Sequence, residues 1–306
     1  MHKMKTRLLL IVTMVLVSAC SGFRETGVSE DGATRQIVTE HTEEIEVPAN
    51  PERIVLLRGV DAGNAALLDA DVVGAGDMIE DTWLAEEKMD PEIILLEHGD
   101  IEGMKAVEPD LIITYAPDAY IEDYQAIAPT VQISYSTSIF SPFRERLYLT
   151  QLYNLGVILD KQEEAQSIGD GWLEEMTRIQ RRAGDMASGK KAIVLTKEAD
   201  GYIIRDEFSA FGTEAVYDVL DFGMDESLRE ALEEGPLPIE LETLGAYDAD
   251  YLFVNVKGID DELRADIAEQ AGVSESQVIM QNYDSYRLND LSSVKHQAEE
   301  IISKVK

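Results

Sequence analysis

The sequence predicts an α/β protein in which two parallel-sheet lobes are joined by one long helix, with a ligand cleft between the lobes. Short apolar strands alternate with helical segments before residue 160, and the alternation starts again after residue 187. Residues 160–187 have the periodicity of a single amphipathic helix. A similar helix-to-strand pattern lies once on each side of that helix, which indicates two related lobes.

The N-terminal segment has the pattern of a secretory signal. Basic residues at positions 3, 5 and 7 precede the apolar run Leu8–Val17, and the only cysteine of the chain, Cys20, follows. The run Val17–Cys20 resembles a bacterial lipobox, which implies a signal peptide over 1–19 and lipid attachment at Cys20. We therefore expect a protein held by lipid on the extracytoplasmic face of the cell membrane. A plain signal peptide with an incidental cysteine is the alternative.

The first lobe is predicted over residues 36–159, after a lipidated tether over residues 20–35 that is rich in Ser, Gly, Glu and Thr. A hairpin is expected over 36–47. Buried strands are expected over 54–57, 71–76, 93–96, 111–114 and 129–133, and helices over 62–68, 102–107, 119–127 and 143–159.

The long helix is predicted from an apolar stripe that recurs every three or four residues: Ala165, Ile168, Trp172, Leu173, Met176 and Ile179. Asp160 can cap its start, and three arginines in its closing turns suit the helix dipole. At about 1.5 Å per residue, the helix would run for roughly 40 Å, which is longer than one small lobe needs. Gly169 and Gly171 could mark a bend.

The second lobe is predicted over residues 188–306. Strands are expected over 192–196, 201–205, 251–255 and 278–280, and helices over 213–220, near 242, over 260–271 and over 292–305. The segment from Glu102 to Ile113 has its counterpart from Glu242 to Phe253. In each, a glutamate opens a helix, apolar residues follow at +2 and +5, an aspartate stands at +8, and a strand begins.

Composition excludes several classes of function. The net charge of −34 argues against a nucleic-acid partner, which needs a basic surface. Four histidines lie far apart, so no zinc site can be assembled from short spacings, and no intrinsic metal is expected. The chain has no Gly-x-Ser-x-Gly elbow and no phosphate-binding loop, so we do not expect an enzyme.

The order and spacing of these segments resemble the solute-binding proteins of bacterial ABC importers that capture ferric siderophores, haem and cobalamin. The matching stretches run from residue 48 to the C-terminus: Pro51–Val55, Val72–Gly74, Glu102–Ile113, Ala128–Val131, the long helix, Glu242–Phe253 and Arg287–Gln297. The resemblance implies that Glu102 and Glu242 contact arginines on the permease subunits of the importer. Alternatively, each glutamate only stabilises the helix start that it occupies.

Ligand contacts are expected from loops at the carboxyl ends of the strands. The predicted ligand-binding residues are Arg58, His98, Tyr115 and Tyr120 in the first lobe, and Lys197, Tyr202, Arg205 and Lys257 in the second; Asp77, Met78, Tyr283 and Arg287 are further candidates. An anionic ferric complex would explain basic residues in so acidic a chain. The alternative is that each of them pairs with a neighbouring carboxylate.

The leading hypothesis is therefore a monomeric, lipid-anchored receptor that binds a ferric siderophore and delivers it to an ABC importer. Iron would arrive already chelated, so no intrinsic cofactor is needed. A haem receptor is one alternative, because His98 or Tyr115 could serve as an axial haem ligand. A cobalamin or ferric-citrate receptor is equally compatible with the fold.

Overall fold

A computed structural model describes residues 23–40, 44–136 and 138–305 of the chain. The predicted signal peptide and Cys20 lie outside these residues. The described chain forms a small N-terminal sheet, two α/β lobes and one long helix between the lobes. Within these residues, no helix is both long and apolar enough to cross a membrane.

The N-terminal sheet consists of β1 (Arg24–Val28), β2 (Thr34–Val38) and β3 (Ile45–Pro48), which pair antiparallel in that order. Phe23 and Ile37 are buried in the main core. Arg35 is also buried, and its guanidinium donates a hydrogen bond to the backbone oxygen of Val157 at 3.0 Å. This corrects the predicted tether over 20–35, because backbone pairing and the burial of Phe23 outweigh the polar composition from residue 23 onward.

The first lobe has a five-stranded sheet in which all strands are parallel, in the order β6-β5-β4-β7-β8. Its strands are β4 (Ile54–Leu56), β5 (Val72–Gly76), β6 (Ile94–Leu96), β7 (Leu111–Tyr115) and β8 (Thr130–Ile133). Its helices are α1 (Gly59–Leu67), α2 (Trp83–Glu87), α3 (Ile101–Ala106), α4 (Ile121–Gln125) and α5 (Leu147–Ile158), with a 3₁₀ turn at Asp77–Ile79.

The long helix is α6 (Gln162–Ala183), followed by a 3₁₀ turn at Gly184–Met186. It runs without interruption through Gly169 and Gly171. Gly169 lies against the ring of Phe143, which leaves no room for a Cβ atom, whereas Gly171 faces open space. At the crossing with α5, a Cβ on Gly156 would lie 2.6 Å from the Cβ of Ala165. Glycine at positions 156 and 169 therefore lets α6 pack closely on the first lobe.

The second lobe has a mixed sheet in the order β11-β10-β9-β12-β13. Its strands are β9 (Ala192–Glu198), β10 (Gly201–Ile204), β11 (Leu237–Ile239), β12 (Tyr251–Val256) and β13 (Val278–Asn282). Its helices are a π-helical segment (Glu214–Val219), α7 (Glu226–Ala231), a 3₁₀ helix (Leu241–Ala246), α8 (Asp261–Ala271), a 3₁₀ turn (Glu275–Gln277), α9 (Tyr283–Tyr286) and α10 (Leu291–Val305).

The strands β9, β12 and β13 are parallel, but β10 is antiparallel to both of its neighbours. The expectation of a parallel sheet in each lobe is thus corrected for the second lobe. Only two residues separate Glu198 from Gly201, and a parallel pair needs a crossover of a dozen residues or more. A hairpin is the connection that this spacing allows.

The sequence repeat corresponds to one structural feature in both lobes. The Asp110 carboxylate accepts hydrogen bonds from the backbone N–H groups of Glu52 and Arg53, at 2.7 and 3.0 Å, just before β4. The Asp250 carboxylate accepts one from the backbone N–H of Lys191 at 2.9 Å, just before β9. In each lobe, the aspartate at +8 therefore fixes the chain that enters the central strand.

The two lobes are also connected by the C-terminal helix. Helix α10 follows the second sheet but packs against α1 and α2 of the first lobe. The ring of Trp83 on α2 stacks on His296 on α10, with centroids 4.0 Å apart and planes 9° apart. The backbone N–H of Trp83 donates to the Ser285 hydroxyl at 3.2 Å. The lobes are therefore connected by α10 as well as by α6.

Candidate functional site

A cavity of about 230 Å³ lies between the lobes at the carboxyl ends of the first lobe's strands. Its lining from the first lobe includes Arg58, Met78, Tyr115, Ser134 and Tyr135, and its lining from the second includes Arg287, Leu288 and Asn289. The first-lobe residues follow β4, β5, β7 and β8 or end them. Because these strands are parallel, their carboxyl ends meet at one edge of the sheet, where open α/β sheets place ligands.

Arg58 is the most buried cation of this cavity, with 2% of its surface exposed. It directly precedes α1, and its guanidinium donates to the Gln151 side-chain oxygen at 2.6 Å. Its second terminal nitrogen lies 3.5 Å from an Asp61 carboxylate oxygen but makes no hydrogen bond within the described residues. Burial raises the pKa of Asp61, and the charge of Arg58 opposes that rise.

Three other predicted first-lobe residues come together beside the cavity. The His98 ring meets the Tyr120 ring edge-on at 5.2 Å and the Tyr115 ring at 6.3 Å. The Nε2 atom of His98 lies 3.0 Å from the Asp118 carboxylate, which also accepts a hydrogen bond from the Thr114 hydroxyl. Burial alone would raise the pKa of Asp118, but the hydrogen bonds from Thr114, the Tyr120 backbone N–H and His98 together outweigh it and lower the pKa. Asp118 therefore holds His98 in place as a carboxylate.

Tyr115 forms a wall of the cavity, and its hydroxyl lies 3.7 Å from the Met78 sulfur. Burial raises the pKa of Tyr115, an effect that the charge of Arg58 only partly offsets. At neutral pH, Tyr115 is consequently a neutral phenol that can donate a hydrogen bond to a ligand oxygen.

Between the lobes beside this cavity lies a hydrogen-bonded group that the sequence did not reveal. The fully buried Glu214 accepts from the Tyr135 hydroxyl of the first lobe at 3.2 Å and from the Asn289 amide at 2.9 Å. Burial raises the pKa of Glu214, and burial and Glu214 together raise that of Tyr135. The strand-end rule could have found Tyr135, which lies two residues after β8. Glu214 lies inside a helical segment, where nothing in the local pattern marks it.

The second lobe contributes a cluster around Tyr283, which directly follows β13. The Arg205 guanidinium lies 4.1 Å from the centroid of the Phe211 ring, and that ring meets Tyr283 at 5.2 Å. Lys257 also contacts the cluster, with its Nζ 5.2 Å from the centroid of the Tyr283 ring. Arg287 connects this cluster to the cavity, since it lines the cavity and also forms an ion pair with Asp284.

Lys197 and Tyr202 lie apart from this cluster. They are paired across β9 and β10, whereas Arg205 contacts the side chains of Thr196 and Glu198, the two neighbours of Lys197 in β9. Because side chains alternate along a strand, Lys197 and Tyr202 point to the opposite face of the sheet. Their role in ligand binding stays a prediction, but the structure does not bring them to the cavity.

Glu102 and Glu242 are exposed and lie in the first turns of short helices, as the repeat predicts. Glu102 lies on α3 with 86% of its side chain exposed, and Lys105 pairs with it at 2.8 Å. Glu242 lies on the 3₁₀ helix that leads toward β12. Neither residue lines the cavity, so both carboxylates are accessible for contacts with another protein.

In the part of the chain that the structure describes, no group of three or more His, Cys, Asp or Glu side chains could hold a metal ion.

Comparisons with known proteins agree with this architecture. The chain is 27% identical over 317 residues to the iron(3+)-hydroxamate-binding protein YxeB of Bacillus subtilis, covering 95% of this chain and 92% of that protein. It is 24% identical over 273 residues to the petrobactin-binding protein YclQ of the same organism, covering 84% and 81%.

Solved structures show the same fold. The FhuD protein from S. pseudintermedius superposes with a TM-score of 0.74 at 19% identity, covering 93% of this chain and 98% of that one. FhuD2 from Staphylococcus aureus with bound ferrioxamine B superposes with a TM-score of 0.71 at 21% identity, covering 83% of this chain and 98% of that one.

The model of the periplasmic binding protein family matches residues 66–279, which is well over half of the sequence. The chain therefore belongs to the periplasmic binding protein family.

Proposed function

We propose that this protein captures a ferric siderophore in the cleft between its lobes and delivers it to the permease subunits of an ABC importer. Relatives named for iron(3+)-hydroxamate and petrobactin binding, and a protein of the same fold that holds ferrioxamine B, support this function. The observation that carries the proposal is the cavity that both lobes line, with Arg58 and Tyr115 on one side and Arg287 on the other.

The side chains of the cleft suit a chelate whose iron is already fully coordinated. Arginine donates through a planar fork to the oxygens of a chelate, and the neutral phenol of Tyr115 donates one hydrogen bond. A neutral phenol is a weak iron ligand, so Tyr115 would recognise the outside of the complex. The protein acts by binding and release and performs no catalytic step.

The N-terminal segment supports a proposal for the cellular location of the protein. We propose that the signal peptide is cleaved before Cys20 and that lipid on Cys20 holds a monomeric receptor on the extracytoplasmic face of the cell membrane. Glu102 and Glu242, one on each lobe, would then contact arginines of the permease. Charge complementarity of this kind fixes the register of docking and speeds association.

Fluorescence titration tests the ligand. Trp83 and Trp172 are the two tryptophans, and a bound ferric chelate absorbs their emission. Saturable quenching by a ferric siderophore is expected, and Arg287→Ala should weaken it about tenfold or more, because a charge-assisted contact is lost. The matched control is Arg229→Ala, which removes an arginine paired with Glu207 outside the cavity lining. A response to haem, cobalamin or ferric citrate alone would replace the siderophore by that ligand, and no response to any of them would contradict the proposal.

A further inference from the structure

The buried cation of the first lobe has a carboxylate counter-ion of its own. Arg58 and Asp61 are 2% and 1% exposed, and their charged groups lie 3.5 Å apart. Leaving either charge alone in this environment would be costly, so the two stabilise each other as a pair. A ligand in the cavity therefore meets Arg58 with the Asp61 carboxyl group beside it rather than an isolated guanidinium.

The cations of the second lobe also have carboxylates nearby, although these groups are more exposed. Arg205 donates to the Glu198 carboxylate at 3.1 Å. Asp284 lies 3.3 Å from Arg287 and 3.9 Å from Lys257. These two carboxylates offset most of the charge of the three cations.

Two further carboxylates lie close to residues that line the cavity. Glu40 accepts hydrogen bonds from the hydroxyls of Ser134, which lines the cavity, and Ser136, at 3.0 and 2.6 Å. Asp77 directly precedes Met78 and is close enough to Tyr115 to contribute to raising its pKa. The chain as a whole carries a net charge of −34, so the long-range field also repels anions.

The loops around the cleft expose apolar surface instead. Met78, Tyr120 and Ile259 lie on loops that leave the carboxyl ends of β5, β7 and β12, and all three side chains are exposed. Such side chains gain free energy from contact with aliphatic ligand arms, at roughly 25 cal/mol per Å² of apolar surface removed from water.

We propose that the cleft selects ferric chelates that are neutral or cationic and carry aliphatic arms, and that it rejects multiply anionic chelates. The proposal rests on the siderophore-binding function above and names its ligand class. Three hydroxamate groups each bring one negative charge and neutralise Fe(III), and a pendant ammonium makes the complex cationic. Three catecholates each bring two negative charges and leave a triply negative complex. Because carboxylates lie beside these cations, the basic residues no longer favour the anionic ferric complex that the sequence suggested.

Two kinds of chelate test the selection in the full-length protein. Calorimetric titration should show ferrioxamine B binding at least about a hundredfold tighter than a ferric tris-catecholate at low ionic strength, because the charge difference acts over short distances. Equal or tighter binding of the tris-catecholate would overturn the proposal and leave the receptor function intact. If neither chelate binds, the receptor function falls, and the charge selection falls with it.

Substitutions locate the source of the selectivity. Asp284→Asn and, separately, Glu198→Gln should each shift the ratio of the two affinities by about tenfold toward the tris-catecholate, since each uncovers a cation of the cleft. Asp261→Asn is the matched control: it removes the same single charge from α8, where Asp261 is 91% exposed and paired with Arg264. Ratios that do not change in the two cleft variants, or that change equally in the control, would overturn the proposal.

Discussion

The side chain of Asp290 is fully buried at the start of α10 and hydrogen-bonds to Ser293, whose backbone N–H and hydroxyl both donate to it, at 3.0 and 2.6 Å. It lies so close to Gly63 of α1 that a Cβ atom there would overlap the carboxyl group. Burial raises the pKa of Asp290 from 3.8 to about 6, and the hydrogen bonds to Ser293 offset this only in part. One acidic residue therefore fixes the C-terminal helix against the first lobe at a cost in electrostatic free energy.

The pH dependence of stability tests this assignment. Because the folded state holds the Asp290 proton more tightly, this stabilising contribution is complete below about pH 4 and is lost as the pH rises through about 6. A shift of about two pKa units corresponds to roughly 3 kcal/mol. Asp290→Asn retains an oxygen for the Ser293 N–H, so urea denaturation should show wild type losing up to that amount relative to the variant between about pH 4 and pH 7. A difference that is independent of pH would contradict a raised pKa.

Individual residues also show how much of the candidate site could be predicted from the sequence. The rule that ligands meet strand ends identified Arg58 and Tyr115, and both line the cavity. The same rule selected Lys197 and Tyr202, which the pleat of β9 and β10 turns to the other face. Side-chain direction depends on register, which a strand prediction without its partners does not fix.

Among the elements, α6 owes its position to glycines. Gly169 lies where the Phe143 ring crosses the helix, while Gly171, two residues later, faces open space. The apolar stripe of this helix was visible in the sequence, because its period is local. The reason for each glycine was not, because Phe143 is distant in sequence.

The two glycines form a matched pair of substitutions. Gly171→Ala should stabilise the protein by up to about 1 kcal/mol, because alanine favours the helix and meets no other atom. Gly169→Ala should destabilise it by about 1–3 kcal/mol, because the new methyl group overlaps the Phe143 ring. Chemical denaturation of the two variants measures both changes. Equal effects would mean that α6 does not pack on Phe143 as described.

The orientation of β10 could also have been predicted from the sequence. Both strands of the hairpin were predicted, but their antiparallel pairing was not. The two-residue gap between β9 and β10 already excludes a crossover, so connection length was the signal that helix-strand alternation concealed.

In the whole molecule, two long elements hold the lobes together. Helix α6 spans them on one side, and α10 packs against the first lobe through the stack of Trp83 on His296. Two such connections resist a wide hinge motion.

The expected result of X-ray scattering is therefore a small change in radius of gyration on adding a ferric siderophore, of about 1 Å or less, since closure is limited to side chains and loops. Tryptophan quenching in the same sample confirms that the ligand is bound. A compaction of several ångströms would show that α6 and α10 do not restrain the lobes.

The proposed docking to the importer involves both lobes, through Glu102 on the first and Glu242 on the second. Glu102→Ala and Glu242→Ala should reduce cellular uptake of the ferric siderophore strongly, while ligand affinity stays within about twofold, because neither side chain lines the cavity. The loss of the exposed Glu102–Lys105 pair should have little effect on stability. Glu262→Ala on α8 is the control carboxylate. Lost ligand affinity would move the two glutamates into the binding site, and unchanged uptake would exclude them from docking.

The central claim is that a ferric chelate binds between the lobes, and the position of the iron tests it most directly. Crystals grown with ferrioxamine B, measured at the iron absorption edge, should give one anomalous peak at the mouth of the cavity, between Tyr115 and Arg287. No protein side chain should coordinate the iron. A peak outside the cleft, a protein ligand on the iron, or no peak at a saturating concentration of the chelate would contradict this account.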